Sequence, residues 1–134
     1  MTINLAIGSK FGLYFDEEDL PNVKGADLVA SRTEKGLLKN NYSLTSNTVT
    51  ISGKVTILNC INLPLKTLNV SENTKLEKLL CGKNGLINLN LKNNTILTVL
   101  SCHNNSLEKL DLTKNTKLEN LNCSQNSVDR KSVV

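Results

Sequence analysis

The stretch LTVLSCHNNSLEKLDLTKNTK, residues 97–117, is matched by its neighbours on both sides. Upstream stand VTILNCINLPLKTLNVSENTK (55–75) and LEKLLCGKNGLINLNLKNNTI (76–96), and downstream stands LENLNCSQNSVDRKSVV (118–134). Cys60, Cys81, Cys102 and Cys123 return at intervals of 21 residues. Within each unit, apolar residues recur at positions 1, 4, 6, 11, 14 and 16, which in the third unit are Leu97, Leu100, Cys102, Leu107, Leu110 and Leu112. Asparagine recurs at position 9 (Asn84, Asn105, Asn126) and at position 19 (Asn73, Asn94, Asn115). Self-similarity at a fixed short period is the mark of a solenoid, in which each unit is one coil.

The spacing carries a physical reading. Each unit holds the half-pattern Leu-x-x-Leu-x-(Leu/Cys)-x-x-Asn twice, about ten residues apart. Alternate apolar residues suit a short strand that turns one side inward. The asparagine that follows suits a bend, because it tolerates left-handed backbone angles and bonds nearby peptide groups. The expected fold is therefore a β-rich repeat solenoid with short strands on two faces of each coil. One coil alone buries too few side chains to offset the entropy of ordering its backbone, so stability requires stacking.

The pattern Leu-x-x-Leu-x-Cys-x-x-Asn-x-Leu-x-x-Leu-Asp-Leu-x-x-Asn, with Leu110-Asp111-Leu112 near its end, resembles the bacterial leucine-rich repeats of the 21-residue, cysteine-containing subtype. The resemblance covers about residues 55–128. It implies a protein-binding surface of unspecified ligand, with outward positions 3, 5, 7 and 8 of the first strand lining an open face. Here these include Ile57, Asn59, Ile61, Lys78, Leu80, Lys83, Val99, Ser101, His103, Asn120 and Asn122. An outward strip should be polar, yet Ile57, Ile61, Leu80 and Val99 are not. They form an expected apolar patch rimmed by lysines, His103 and amides, the composition of an interface core with its rim. A competing reading has the N-terminal segment fold over Ile57 and Ile61.

Outside the array, residues 1–48 fit the repeat poorly and are expected to be a small α+β cap, with residues 49–134 forming about four coils. Ile3, Leu5 and Ile7, then Phe11, Leu13 and Phe15, alternate about Gly8-Ser9-Lys10 and read as a β-hairpin. Ala26–Lys39, with Leu28, Val29, Leu37 and Leu38, reads as a short helix interrupted by Gly36. Val49-Thr50-Ile51 reads as the start of an irregular first coil. The last unit is polar at position 14, where Lys131 replaces leucine, as the end of a solenoid requires.

Composition excludes several classes. The 134 residues are 39% apolar and 21% charged, which fits a folded domain rather than extended disorder. Aromatics are 3%, so the core must come from stacked aliphatic chains. No run approaches the roughly 20 apolar residues of a membrane span. The N-terminus lacks a basic stretch before its short apolar run, so no secretory signal is expected and a reducing, cytoplasmic setting is. The cysteine spacing is not that of zinc ligands, and thiols in a row one strand separation apart, about 4.8 Å, cannot converge on one ion. Buried free cysteine then acts as a small hydrophobe. No phosphate loop, nucleophile elbow or calcium loop is present; the acidic run Asp16-Glu17-Glu18-Asp19 reads as a solvated turn. No cofactor, metal or enzymatic activity is expected, and His103 reads as a surface histidine.

Net charge is +4, with about −1 in residues 1–48 and +5 in residues 49–134. A basic array could contact nucleic acid, but the repeats hold no aromatic stacking platform and lysine dominates arginine. The expectation is a protein partner, as for a small intracellular inhibitor or adaptor of phage or mobile-element type. The alternative is a nucleic-acid or nucleoprotein binder that uses the repeat lysines, such as an inhibitor of a bacterial CRISPR-type defence complex. The last strand or the apolar strip could also pair with a second copy.

Overall fold

The computed structural model describes residues 2–4, 10–15, 22–24, 26–34, 37–44, 48–52 and 54–128, with side chains from Lys54 onward and at Val23. Its strands are β1 (Thr2–Asn4), β2 (Lys10–Phe15), β3 (Asn22–Lys24), β4 (Ala26–Glu34), β5 (Leu37–Leu44), β6 (Thr48–Ser52), β7 (Ile57–Asn59), β8 (Leu68–Asn69), β9 (Lys78–Leu80), β10 (Val99–Ser101) and β11 (Asn120–Asn122). No helix occurs among the described residues.

The repeat builds a parallel ladder. Strands β7, β9, β10 and β11, one from each coil, pair in the register Ile57–Lys78–Val99–Asn120 and Asn59–Leu80–Ser101–Asn122. A return every 21 residues is what stacks identical positions: Leu58, Leu79 and Leu100 lie in one buried file, and Cys60, Cys81 and Cys102 in another. Pairing continues past the strands, as Cys60 N–H donates to Leu80 C=O, Cys81 N–H to Ser101 C=O and Cys102 N–H to Asn122 C=O. The other apolar positions complete a single core that runs from Val55 to Leu110.

Asparagine does two jobs at neighbouring positions. The left-handed residue of the first bend is position 8 (Asn62, Lys83, Asn104, Gln125, with φ between 52° and 58°), not the asparagine at position 9. Position 9 instead bonds peptide groups across coils. Asn105 Nδ2 donates to Cys81 C=O and Cys102 C=O at 3.0 and 2.9 Å, and its Oδ1 accepts Leu86 N–H at 3.0 Å. Asn84 and Asn126 repeat the pattern one coil to either side.

The second half of the coil departs from expectation. Among the described residues its strand forms in the first unit alone, as β8, with a single bridge residue at Leu110 in the third, and β8 pairs with β1 rather than with another repeat. In the next two coils, cross-coil bonds at this corner come from buried side-chain amides. Asn94 Nδ2 donates to Val70 C=O and Asn73 C=O, and Asn115 Nδ2 to Leu91 C=O and Asn94 C=O. The turns themselves are paired bends, Asn94 N–H to Leu91 C=O and then Leu97 N–H to Asn94 C=O. A backbone turned back on itself for these bends has its peptide groups engaged locally, which leaves the second face without a continuous ladder.

The N-terminal strands join both faces. β2 pairs antiparallel with β7 (Gly12 opposite Asn59, Leu13 opposite Leu58, Tyr14 opposite Ile57), while β1 pairs antiparallel with β8. The expected hairpin between Ile3–Ile7 and Phe11–Phe15 is therefore not formed: β1 and β2 lie in different sheets, ordered β3-β6-β1-β8 and β11-β10-β9-β7-β2-β5-β4. The first coil offers two open strand edges, and each takes one of these strands. The expected helix over Ala26–Lys39 is also replaced, by β4 and β5, which pair antiparallel with Glu34 opposite Leu37. Only Lys35 and Gly36 separate those two strands, a length that suits a hairpin, and Asn40-Asn41 break the helical apolar period. Val49-Thr50-Ile51 lies in β6, antiparallel to β1 and β3, rather than in a coil. The acidic run at 16–19, the bend at Gly8-Ser9, and Arg130 and Lys131 lie outside the described residues.

Candidate functional site

The expected binding residues come together on the face of the parallel ladder. Position 3 gives the row Ile57, Lys78, Val99, Asn120, and position 5 the row Asn59, Leu80, Ser101, Asn122. In each strand the residue between the two rows is the inward leucine, because successive side chains alternate across the pleat; Leu58, Leu79 and Leu100 are buried, and Leu121 in the last strand is 42% exposed. The four apolar members do not form a block. Within each row an apolar residue has polar neighbours, so Ile57, Leu80 and Val99 form a V across three coils with Leu80 at its apex. All four, including Ile61, are half-buried, whereas Lys78, Lys83, Asn120 and Asn122 are exposed.

His103 is more confined than a surface histidine. Its ring lies over Gly82, the equivalent residue one coil earlier, and a Cβ at Gly82 would collide with ring atoms Cε1 and Nδ1. Ser101 Oγ lies 2.9 Å from Nδ1. Nε2 makes no hydrogen bond among the described residues, so the serine–histidine contact lacks the third, orienting group of a nucleophilic triad. The contact fixes the ring over the glycine. Gly82 holds position 7 of the second unit, between Ile61 and His103, one of the outward positions expected on the open face.

The thiols lie inside. Cys60, Cys81 and Cys102 are buried and unpaired, while Cys123 in the last coil is half-exposed. Desolvation by burial pushes Cys60 and Cys102 up to about 12 and Cys81 well above its ordinary value. A thiol held protonated is a poor nucleophile and metal ligand. No group of three or more histidine, cysteine or acidic residues is arranged to hold a metal among the described residues.

Sequence reasoning also missed a groove on the second face. It has a volume of about 770 Å³ and lies between the first two coils, lined by Lys66, Asn69, Ile87, Asn90 and Lys92 among others. Ile87 is 57% exposed. Its position 12 is lysine, glutamate or aspartate in the other units (Lys66, Glu108, Asp129), and that exception was the available signal.

Coils joined by a parallel ladder with cysteine facing inward define a leucine-rich-repeat-like scaffold. The functional domain of InlJ from Listeria monocytogenes, a bacterial leucine-rich repeat protein whose structure includes a cysteine ladder, is similar to this chain at 29% identity with a TM-score of 0.51. The likeness covers 64% of this chain and 24% of that one, so this chain spans about a quarter of the neighbour's length. No family model and no curated protein matches the chain. Folds of this type are typically non-enzymatic scaffolds for protein interaction. No helix among the described residues is long and apolar enough to cross a membrane.

Proposed function

We propose that this chain is a non-catalytic protein-binding module of the 21-residue, cysteine-containing leucine-rich-repeat type, which docks a partner on the face of its parallel ladder. The observation that carries the reading is the V of half-buried Ile57, Leu80 and Val99 among exposed Lys78, Lys83, Asn120 and Asn122. Ile61 and His103 extend it, and Asn59 and Ser101 supply hydrogen-bonding groups within it. Apolar anchors inside a polar rim fit a protein partner with acidic residues at the edge of its contact. Residues 1–48 act as the cap of the array, since β1 and β2 pair with the two edges of the first coil. Unpaired thiols fit a reducing compartment, and a small intracellular inhibitor or adaptor is the role this size and surface serve.

A second reading, contact with nucleic acid or a nucleoprotein, draws on the exposed lysines Lys78 and Lys83. Salt separates the two, because phosphate contacts weaken steeply with ionic strength. The test is capture of a partner from lysate by the wild type, Leu80→Asp and Ile87→Asp, with nuclease added and salt varied. Loss with Leu80→Asp alone, while the fold persists, supports the reading. Equal capture by all three, or loss on nuclease treatment, overturns it.

A further inference from the structure

The second face opens between two pins. At one corner Leu65 C=O accepts Gly85 N–H, and at the other Val70 C=O accepts Asn94 Nδ2, so the first two coils are held together at both ends. Between those pins no backbone bond joins residues 66–69 to residues 86–91 among the described residues. β8 leans on β1 instead, as the last strand of the described order β3-β6-β1-β8. The groove of about 770 Å³ lies along this unjoined stretch, with β8 in its wall. Its volume is that of a ligand site.

The walls are cationic and rich in donors. Their described residues include two exposed lysines, Lys66 at position 12 of the first coil and Lys92 at position 17 of the second, and no acidic residue. Asn69 and Asn90, both at position 15, use Oδ1 to accept the N–H of Ser71 and Lys92 at 3.0 and 3.2 Å, which leaves each Nδ2 to donate to a guest. Ile87, 57% exposed, adds an apolar surface at the Lys66 end. One coil further, Glu108 and Asp111 hold positions 12 and 15, so the stretch that attracts anions ends with the second coil.

An extended acidic peptide answers each of these features. Its carbonyls accept from the two amides, its carboxylates meet the lysines, and the edge of β8 away from β1 is of the kind that takes an added strand. Positions 12 and 17 are five residues apart, about 17 Å of extended chain, and a strand laid alongside matches them residue for residue. We propose that this groove binds an extended acidic segment of a partner protein, with carboxylates five residues apart at Lys66 and Lys92 and an aliphatic side chain on Ile87. The missing ladder of the second face is what leaves room for the guest strand.

Fluorescence anisotropy with the full chain tests this, using a labelled hexapeptide with glutamate at both ends, leucine second and threonine between. Saturable binding is expected. Replacing both glutamates by glutamine should weaken it at least about fivefold, as should Lys66→Glu or Lys92→Glu, because each removes a charge pair. Methylating the central amide nitrogens of the peptide should weaken it by a similar factor, since an added strand needs its backbone donors. Leu80→Asp, on the ladder face, should leave it unchanged, so this site and capture through the ladder face stand or fall separately. No binding by the wild type to about 1 mM, equal binding of the glutamine peptide, or loss with Leu80→Asp but not with Lys92→Glu overturns the proposal. So does indifference to the methylated amides, which would make the groove a site for polyanions at large.

Discussion

The two faces of each coil solve the same problem differently. On the first face, cross-coil contact is backbone to backbone, a parallel ladder reinforced by position 9 asparagines whose amide oxygen and nitrogen both bond. On the second face, no strand ladder joins the described coils, and at the second corner Asn94 and Asn115 make the contact through Nδ2. Asn73, Asn94 and Asn115 are buried, and each Oδ1 lacks a hydrogen-bond partner among the described residues. A carbonyl oxygen buried without a donor costs free energy, so the second corner is the weaker of the two seams. The first face is thus the stiff platform, and a stiff surface loses less entropy when it binds. That difference is the physical reason to place partner binding there.

The largest test of the inside–outside division lies within one ladder. Leu100→Asp buries a charge in the core file and should unfold the array, a loss above about 4 kcal/mol. Leu80→Asp, in the adjacent strand but on the outer side, should cost less than about 1 kcal/mol. Chemical denaturation of both variants decides; similar losses would break the division.

The two asparagine files should also differ. Asn105→Ala leaves Leu86 N–H without its acceptor and takes one of two amide donors from each of Cys81 C=O and Cys102 C=O, and should cost about 1–3 kcal/mol. Asn94→Ala removes the second donor to Val70 C=O and Asn73 C=O, which keep the N–H groups of Asn73 and Leu76, and removes an orphan oxygen with it, so it should cost less than about 1 kcal/mol. The reverse order of denaturation midpoints would show the second corner to be the stronger seam.

The buried thiols set a pH dependence. Cys60 and Cys102 are held up to about 12 from an ordinary 9.0. Below pH 9 both folded and unfolded thiols are protonated and nothing changes. Between pH 9 and 12 the unfolded chain ionises and the folded chain does not, so the native state loses stability as pH rises, by up to about 1.4 kcal/mol per thiol per unit. Urea melts from pH 8 to 10.5 should show this slope, and Cys102→Ala should reduce it.

The smallest effect belongs to the first bend. Lys83 holds a left-handed φ of 55° where Asn62 and Asn104 hold similar angles at less steric cost. Lys83→Asn should raise stability by about 0.5–1 kcal/mol, with Asn104→Lys lowering it by a similar amount.

Much of this was legible in the sequence, for a definite reason. A residue that recurs each 21 positions in a solenoid has the same surroundings each time, so Leu58, Leu79 and Leu100 could be placed inside from periodicity alone. What failed lacked that redundancy. The segment Ala26–Lys39 occurs once, and its pairing of β4 with β5 is decided by the short Lys35-Gly36 link rather than by period. The partners of β1 and β2 were illegible because they are open edges of a coil distant in sequence. The left-handed residue was misplaced by one position, since asparagine at position 9 advertised a bend that position 8 performs. Within the candidate site, row membership was readable, but the relative placement of Ile57, Leu80 and Val99 and the His103–Gly82 contact needed the register and the atoms.

The inward file of sulfurs is the claim from which the platform and the seams follow. Labelling the native protein at neutral pH with a thiol reagent, followed by peptide mass mapping, measures it most directly. The structure predicts rapid modification at Cys123, half-exposed in the last coil, and protection at Cys60, Cys81 and Cys102 until denaturant is added. Modification of all four at the rate seen in the unfolded chain would contradict it.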